Sequence, residues 1–95
     1  MVQPKFRAFG LILSLALSSL ALSTAHAYPD RPITLIVPTV PGGAGDTVSR
    51  VLADDMAKTL GQPIIVENRP GAGGVVGTKS ASNAHADGYT LLLGI

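Results

Sequence analysis

Three glycines within four positions, Gly42, Gly43 and Gly45, follow an apolar run and stand directly before Asp46 and a helical pattern. The chemistry of such a stretch is main-chain chemistry. Residues without a Cβ let a ligand reach backbone N–H groups, and the start of a helix adds four N–H groups that have no intrahelical partner. The helix macrodipole places partial positive charge at the same point, so a carboxylate or phosphate can be held there without an arginine. A strand-to-helix turn in any α/β protein also favours glycine and an Asp cap, and the loop alone leaves both readings open. A second cluster, Gly71-Ala72-Gly73-Gly74, repeats the arrangement ahead of Val75.

Other kinds of chemistry find little support. The chain has no cysteine and two histidines, of which His85 lies in a polar, turn-rich stretch and reads as a surface residue; a metal site needs more ligands than that. Ser49, Ser80 and Ser82 sit in helical patterns without a G-x-S-x-G elbow, so no catalytic residue is assigned. The nucleotide templates fail as well. No Lys-Ser or Lys-Thr follows Gly45, and the third glycine of G-x-G-x-x-G is replaced by Val48 in one loop and Val76 in the other. No cofactor is expected.

The elements that position the loops begin after a leader. Lys5 and Arg7, the apolar run Ala8 to Leu22 and the small-x-small site Ala25-His26-Ala27 form a secretory signal peptide, cleaved after Ala27 to leave Tyr28 at the mature N-terminus. The apolar run, about 15 residues, falls short of the roughly 20 that span a bilayer. Lys5 and Arg7 leave with the leader, so five basic and six acidic residues remain of the seven and six in the whole chain, a net charge of −1. No basic surface interleaved with aromatics remains to suggest nucleic acid.

From Tyr28 the pattern reads strand, helix, strand, helix, strand. Ile33 to Val37 is nearly continuously apolar and β-branched, as in a parallel strand covered on both faces. Val48, Val51, Leu52, Met56 and Leu60 recur at helical spacing, which predicts a helix with Asp46 as N-cap, Gly61 just past its end, that apolar stripe buried, and Asp54, Asp55 and Lys58 in solvent. Ile64 to Val66 is a second strand, broken at Asn68-Arg69-Pro70-Gly71. Val75 to about Asn83 is a helix weakened by Gly77, and Tyr89 to Leu93 is the third strand. Crossovers of this length imply parallel strands joined right-handedly. In the order 2-1-3 the helices cover opposite faces and both glycine loops lie at a switch point; the order 1-2-3 leaves one apolar face bare.

Tyr28-Pro29-Asp30-Arg31-Pro32-Ile33, Ile36-Val37-Pro38, Pro41-Gly42-Gly43 with Asp46, Gly61-Gln62-Pro63, Val66 to Gly74 and Asp87-Gly88-Tyr89-Thr90-Leu91 together resemble the N-terminal part of the Bug family, the extracytoplasmic solute receptors of tripartite tricarboxylate transporters. The resemblance implies an α/β fold, a parallel β-α-β-α-β unit forming part of lobe 1 of a type II periplasmic binding protein, the two-lobed Venus-flytrap. It implies a periplasmic receptor, not an enzyme, that binds a small carboxylate and delivers it to the membrane components of the transporter. Ligand-binding roles fall on Pro41, Gly42, Gly43 and Asp46 in the first loop and on Ala72, Gly73 and Gly74 in the second. Asp46 is expected to hold the loop as an N-cap rather than touch an anion of its own sign. These receptors are several-fold longer, so Tyr28 to Ile95 is expected to be a truncated part of lobe 1. A non-functional gene remnant and an exported enzyme acting on a phosphate-bearing substrate are the alternative readings.

Overall fold

The computed structural model describes residues 27–95; the predicted leader lies outside the described residues except for Ala27. Three parallel strands, β1 (Ile33–Val37), β2 (Ile64–Asn68) and β3 (Thr90–Leu92), form one sheet in the order β2-β1-β3. This is the 2-1-3 arrangement. Ile33, Leu35, Ile36 and Val37 are all buried, because β1 is hydrogen-bonded along both edges and packed on both faces.

Helix α1 (Ala44–Leu60) packs on β1 and β2, and α2 (Val75–Ser82) packs on β1 and β3. Ile64 and Val66 line a groove with Arg50 and Ala53 of α1, and Ile33 and Leu35 of β1 share their face by register. Pro38 continues the other face of β1 and meets Gly77 of α2. The two helices therefore cover opposite sides of the sheet, as right-handed crossovers in this order require.

The predicted element positions hold, and three details differ. α1 starts two residues before Asp46, with extended Gly43 as N-cap and the Thr47 N–H donating to the Gly43 carbonyl at 3.0 Å. Asp46 is therefore the third helical residue and not the cap. β2 runs on through Asn68, because the Arg69 N–H donates to the Val37 carbonyl at 2.8 Å and extends the ladder to the end of β1. β3 is shorter than Tyr89 to Leu93, although the Tyr89 carbonyl and the Leu93 N–H both still bond to β1.

A further difference, beyond these boundaries, concerns which stripe of α1 is buried. Asp46, Ser49 and Ala53 face the sheet, whereas Val48, Val51 and Leu52 are exposed at 59%, 67% and 43%. Small residues let the helix axis approach the sheet, and the Ser49 hydroxyl satisfies itself on the Gly45 carbonyl at 2.6 Å, so its burial leaves no polar group orphaned. Asp46, Ser49 and Ala53 repeat at the same three-and-four spacing, and over the first half of the helix hydrophobicity points to the wrong stripe; Met56 and Leu60 of the predicted stripe are half-buried. Asp54, Asp55, Lys58 and His85 are exposed as expected.

At the opposite end of the sheet from the loops, the Arg31 guanidinium lies 3.7 Å from the Tyr89 ring centroid and donates to Asp87 at 3.1 Å. Tyr28 packs edge-on against Tyr89 at 5.1 Å. These contacts fasten residues 28–31 to the turn before β3, so the segment following the predicted cleavage point belongs to the folded unit.

Gly77, read from sequence as a weakness in α2, is a requirement of the packing. A Cβ built there lies 2.7 Å from both the Arg69 carbonyl oxygen and the Pro38 Cβ, and neither backbone can retreat. Alanine gains about 1 kcal/mol of helix propensity, but overpacking costs roughly 1–3 kcal/mol, and more where the obstacle is main chain. Gly77→Ala is expected to lower the denaturation midpoint. An unchanged or raised midpoint contradicts this account of the helix contact.

Candidate functional site

The first glycine loop leaves the carboxyl end of β1 through Pro38 and Thr39. Pro41 and Gly42 are exposed and Gly43 is half-buried. Gly42 has a left-handed φ of 88°, which supplies the turn, whereas Gly43 is extended at φ −78° and ψ 179°, a conformation open to any residue. A Cβ on Gly43 would meet only the Val40 carbonyl, at an ordinary 3.7 Å. Nothing among the described residues therefore requires glycine at 43. No side chain caps α1 at Gly43, which leaves the first-turn N–H groups available to an external acceptor.

The second loop is left-handed throughout. Gly71, Ala72, Gly73 and Gly74 have φ values of 130°, 50°, 64° and 99°, closed by the Gly74 N–H on the Gly71 carbonyl at 3.1 Å. At Ala72 the left-handed region costs about 1–2 kcal/mol, the kind of stored strain that gathers at ligand-holding loops. Ala72 and Gly73 are exposed and Gly74 is buried. Gly74 packs where a Cβ would stand 2.9 Å from Ile95 and 3.8 Å from Pro38.

Both loops thus gather at one end of the sheet around the outgoing chain of β1. The tail of β3 joins them: Leu93 lies near Gly45 of the first loop and Ile95 against Gly74 of the second. A groove of about 380 Å³ runs beside Gly73, Gly74, Thr78, Lys79 and Ile95. A larger one, about 620 Å³, lies on the exposed apolar stripe of α1 beside Val48, Val51 and Leu52.

Asp46 does not face outward. Its side chain is 8% exposed. The carboxylate accepts the Gly42 N–H at 2.9 Å, the Asn68 amide at 3.0 Å and Arg50 Nε at 3.1 and 3.2 Å. The Gly42 N–H first, then Asn68 and Arg50, hold its carboxyl down from the ordinary 3.8 to about 2, against burial, which pushes it up. Asn68, Arg50 and Thr39 were missed as site residues. An Asp-Arg pair four apart on a helix was readable. The Asn68 partnership, 22 residues distant, had no sequence signal, and neither did the buried Thr39 hydroxyl, which has no hydrogen-bond partner.

The folded-state pKa of Asp46 lies below the unfolded one, so its stabilisation is fully present above about pH 4 and is lost as pH falls through about 2. Asp87, also held low, by the Tyr89 N–H, contributes in the same direction. Asp46→Asn is therefore expected to be less stable than the native chain at neutral pH, and to lose less stability on acidification while Asp87 keeps the remainder. Denaturation midpoints at neutral pH and at about pH 2 check this; parallel acid profiles would show that the carboxylate is not held as described.

Among the described residues, no group of three or more His, Cys, Asp and Glu side chains is placed to hold a metal, and no helix is long and apolar enough to cross a membrane. Residues 48–95 match the model of the tripartite tricarboxylate transporter family receptor. The protein BugT of Bordetella pertussis is 56% identical over 70 residues, covering 74% of this chain and 22% of BugT. Among solved structures, the periplasmic binding protein BugD aligns at 48% identity with a TM-score of 0.67, over 68% of this chain and 22% of that one. MatC from Rhodopseudomonas palustris with bound malate aligns at 48% identity and TM-score 0.66, with the same coverage. This chain spans about a quarter of the length of the curated relatives it matches, 22% of one and 28% of another.

Proposed function

From membership of the tripartite tricarboxylate transporter receptor family, to which this chain belongs, we propose that it forms the carboxylate-binding wall of lobe 1 in a periplasmic solute receptor. The observation that carries the reading is the uncapped start of α1 behind a glycine loop, with an extended Gly43 that the chain itself does not need. Main-chain N–H groups there take one carboxylate of the solute, in the manner of anion sites at helix N-termini. Pro41, Gly42 and Gly43 line this side, Ala72 and Gly73 present main chain from the other, and Asp46 and Gly74 hold their loops from beneath. The bound malate of MatC supports a small carboxylate as the class of ligand. The relatives are receptors and binding proteins, and the chemistry required here is binding without turnover. The membrane components of the transporter are the partners that receive the solute, and no nucleic acid is involved.

Because the relatives are several-fold longer, affinity is best read with this segment replacing its counterpart in a full-length receptor, titrated with malate by calorimetry. Gly43→Ala is expected to fold normally and to weaken binding by about tenfold or more, equivalent to roughly 1.4 kcal/mol. Lys58→Ala, on the solvent side of α1, is expected to leave affinity unchanged. Equal losses, or none at Gly43, would remove the loop from the site.

Export is the companion proposal. The chain is processed after Ala27 and resides in the periplasm, supported by the leader pattern and by relatives described as periplasmic. N-terminal sequencing of periplasmic material is expected to begin at Tyr28; a membrane-retained product starting at Met1 would count against it.

A further inference from the structure

One side chain touches the first glycine loop at both of its ends. Asn68 Nδ2 donates to the Thr39 carbonyl at 3.3 Å, ahead of Pro41-Gly42-Gly43, and to Asp46 Oδ1 at 3.0 Å, behind them. Its Oδ1 accepts from the Arg50 guanidinium at 3.3 Å. The partners fix the amide's orientation, because the reversed amide would set its oxygen against a carbonyl and a carboxylate. Asn68 is also the last residue of β2, three before Gly71, so the same residue begins the segment that enters the second loop.

We propose that Asn68 is the positioning residue of the carboxylate site, its amide bracketing the first glycine loop between Thr39 and Asp46 and registering that loop against the second. The proposal deepens the receptor reading and rests on it for the word site, but the bracket itself is a property of the ligand-free chain. The loop has exposed glycine, little packing and a left-handed turn at Gly42, so without external ties its main-chain N–H groups would sample many directions. The Asn68 bonds limit that freedom from outside the loop, and Asp46 passes the constraint on through the Gly42 N–H at 2.9 Å. Chemistry restricts the choice of residue. Aspartate at 68 would put a second anion beside Asp46 and offer no donor to Thr39, and alanine would leave that carbonyl and one carboxylate lone pair unmet. Arg50 is the charged side chain that contacts Asp46; Glu67 and Arg69, at the same end of β2, pair with each other at 2.7 Å.

The test follows amide signals of the whole chain by NMR, without ligand, during acid titration of the native protein, Asn68→Ala and the near-isosteric Asn68→Asp, with Asp54→Asn as a control on the exposed side of α1. In the native chain the Gly42 amide is expected to report the Asp46 carboxyl near its pKa of about 2. In both Asn68 variants that midpoint should rise towards the ordinary 3.8, and the Gly42, Gly43 and Ala72 to Gly74 signals should shift together while those of Ile33 to Val37 stay in place. Asp54→Asn should change none of these. Native midpoints and loop signals in either folded Asn68 variant would overturn the proposal. Titrating the same samples, transferred to the full-length receptor, with malate addresses the receptor reading separately: a bracket that holds without malate binding refutes only that reading, and malate binding unaffected by Asn68→Ala refutes the bracket's role in the site.

Discussion

Ile33–Val37 is hydrogen-bonded along both edges and packed on both faces, which makes it the enclosed centre of the sheet. Every other placement follows from that enclosure. With β1 central and the chain turning first to one side and then to the other, both crossover helices must start near the same end of the sheet. The loops that introduce them then face each other across the point where the strand order reverses. That point is where α/β sheets hold ligands, because the backbone groups that end strands and begin helices have no partners of their own.

What the fold brings to that end is mostly backbone, held from beneath by a buried charge. An anion at the start of a helix is stabilised by the macrodipole, yet it opposes any second anion at the same place. The geometry resolves the conflict by turning Asp46 inward, where its lone pairs are occupied by Gly42, Asn68 and Arg50. Spent in this way, the carboxylate shapes the loop from within and presents no charge at its outer surface. Asp46, Gly74 and Gly77 act as structural supports, while Gly43, Ala72 and Gly73 present main chain outward.

The contact between α1 and the sheet illustrates why apolarity and burial part company. Two stripes of this helix share the same spacing, one of Val48, Val51 and Leu52 and one of Asp46, Ser49 and Ala53. The second wins against the sheet because short side chains allow a close approach and because its polar groups are satisfied locally. The first stripe is left facing away from the described sheet, an apolar surface rimmed by Asp54, Asp55 and Lys58.

Local patterns alone located β1, the body of α1, the left-handed end of that helix at Gly61 and both glycine loops, and they favoured the order 2-1-3 over 1-2-3 without deciding it, which the paired strands did. Each of these depends on residues close in sequence or on chain-length and handedness rules that apply to any chain. Tertiary structure decided the rest. The buried stripe of α1 was settled by how near the helix can come to the sheet, the need for glycine at 77 by a carbonyl eight residues away, and the length of β2 by its ladder with β1. The setting of the first loop was decided by Asn68 meeting Asp46 across 22 positions. Such contacts depend on distances that exist only once the strands have paired, so periodicity and composition carry no trace of them.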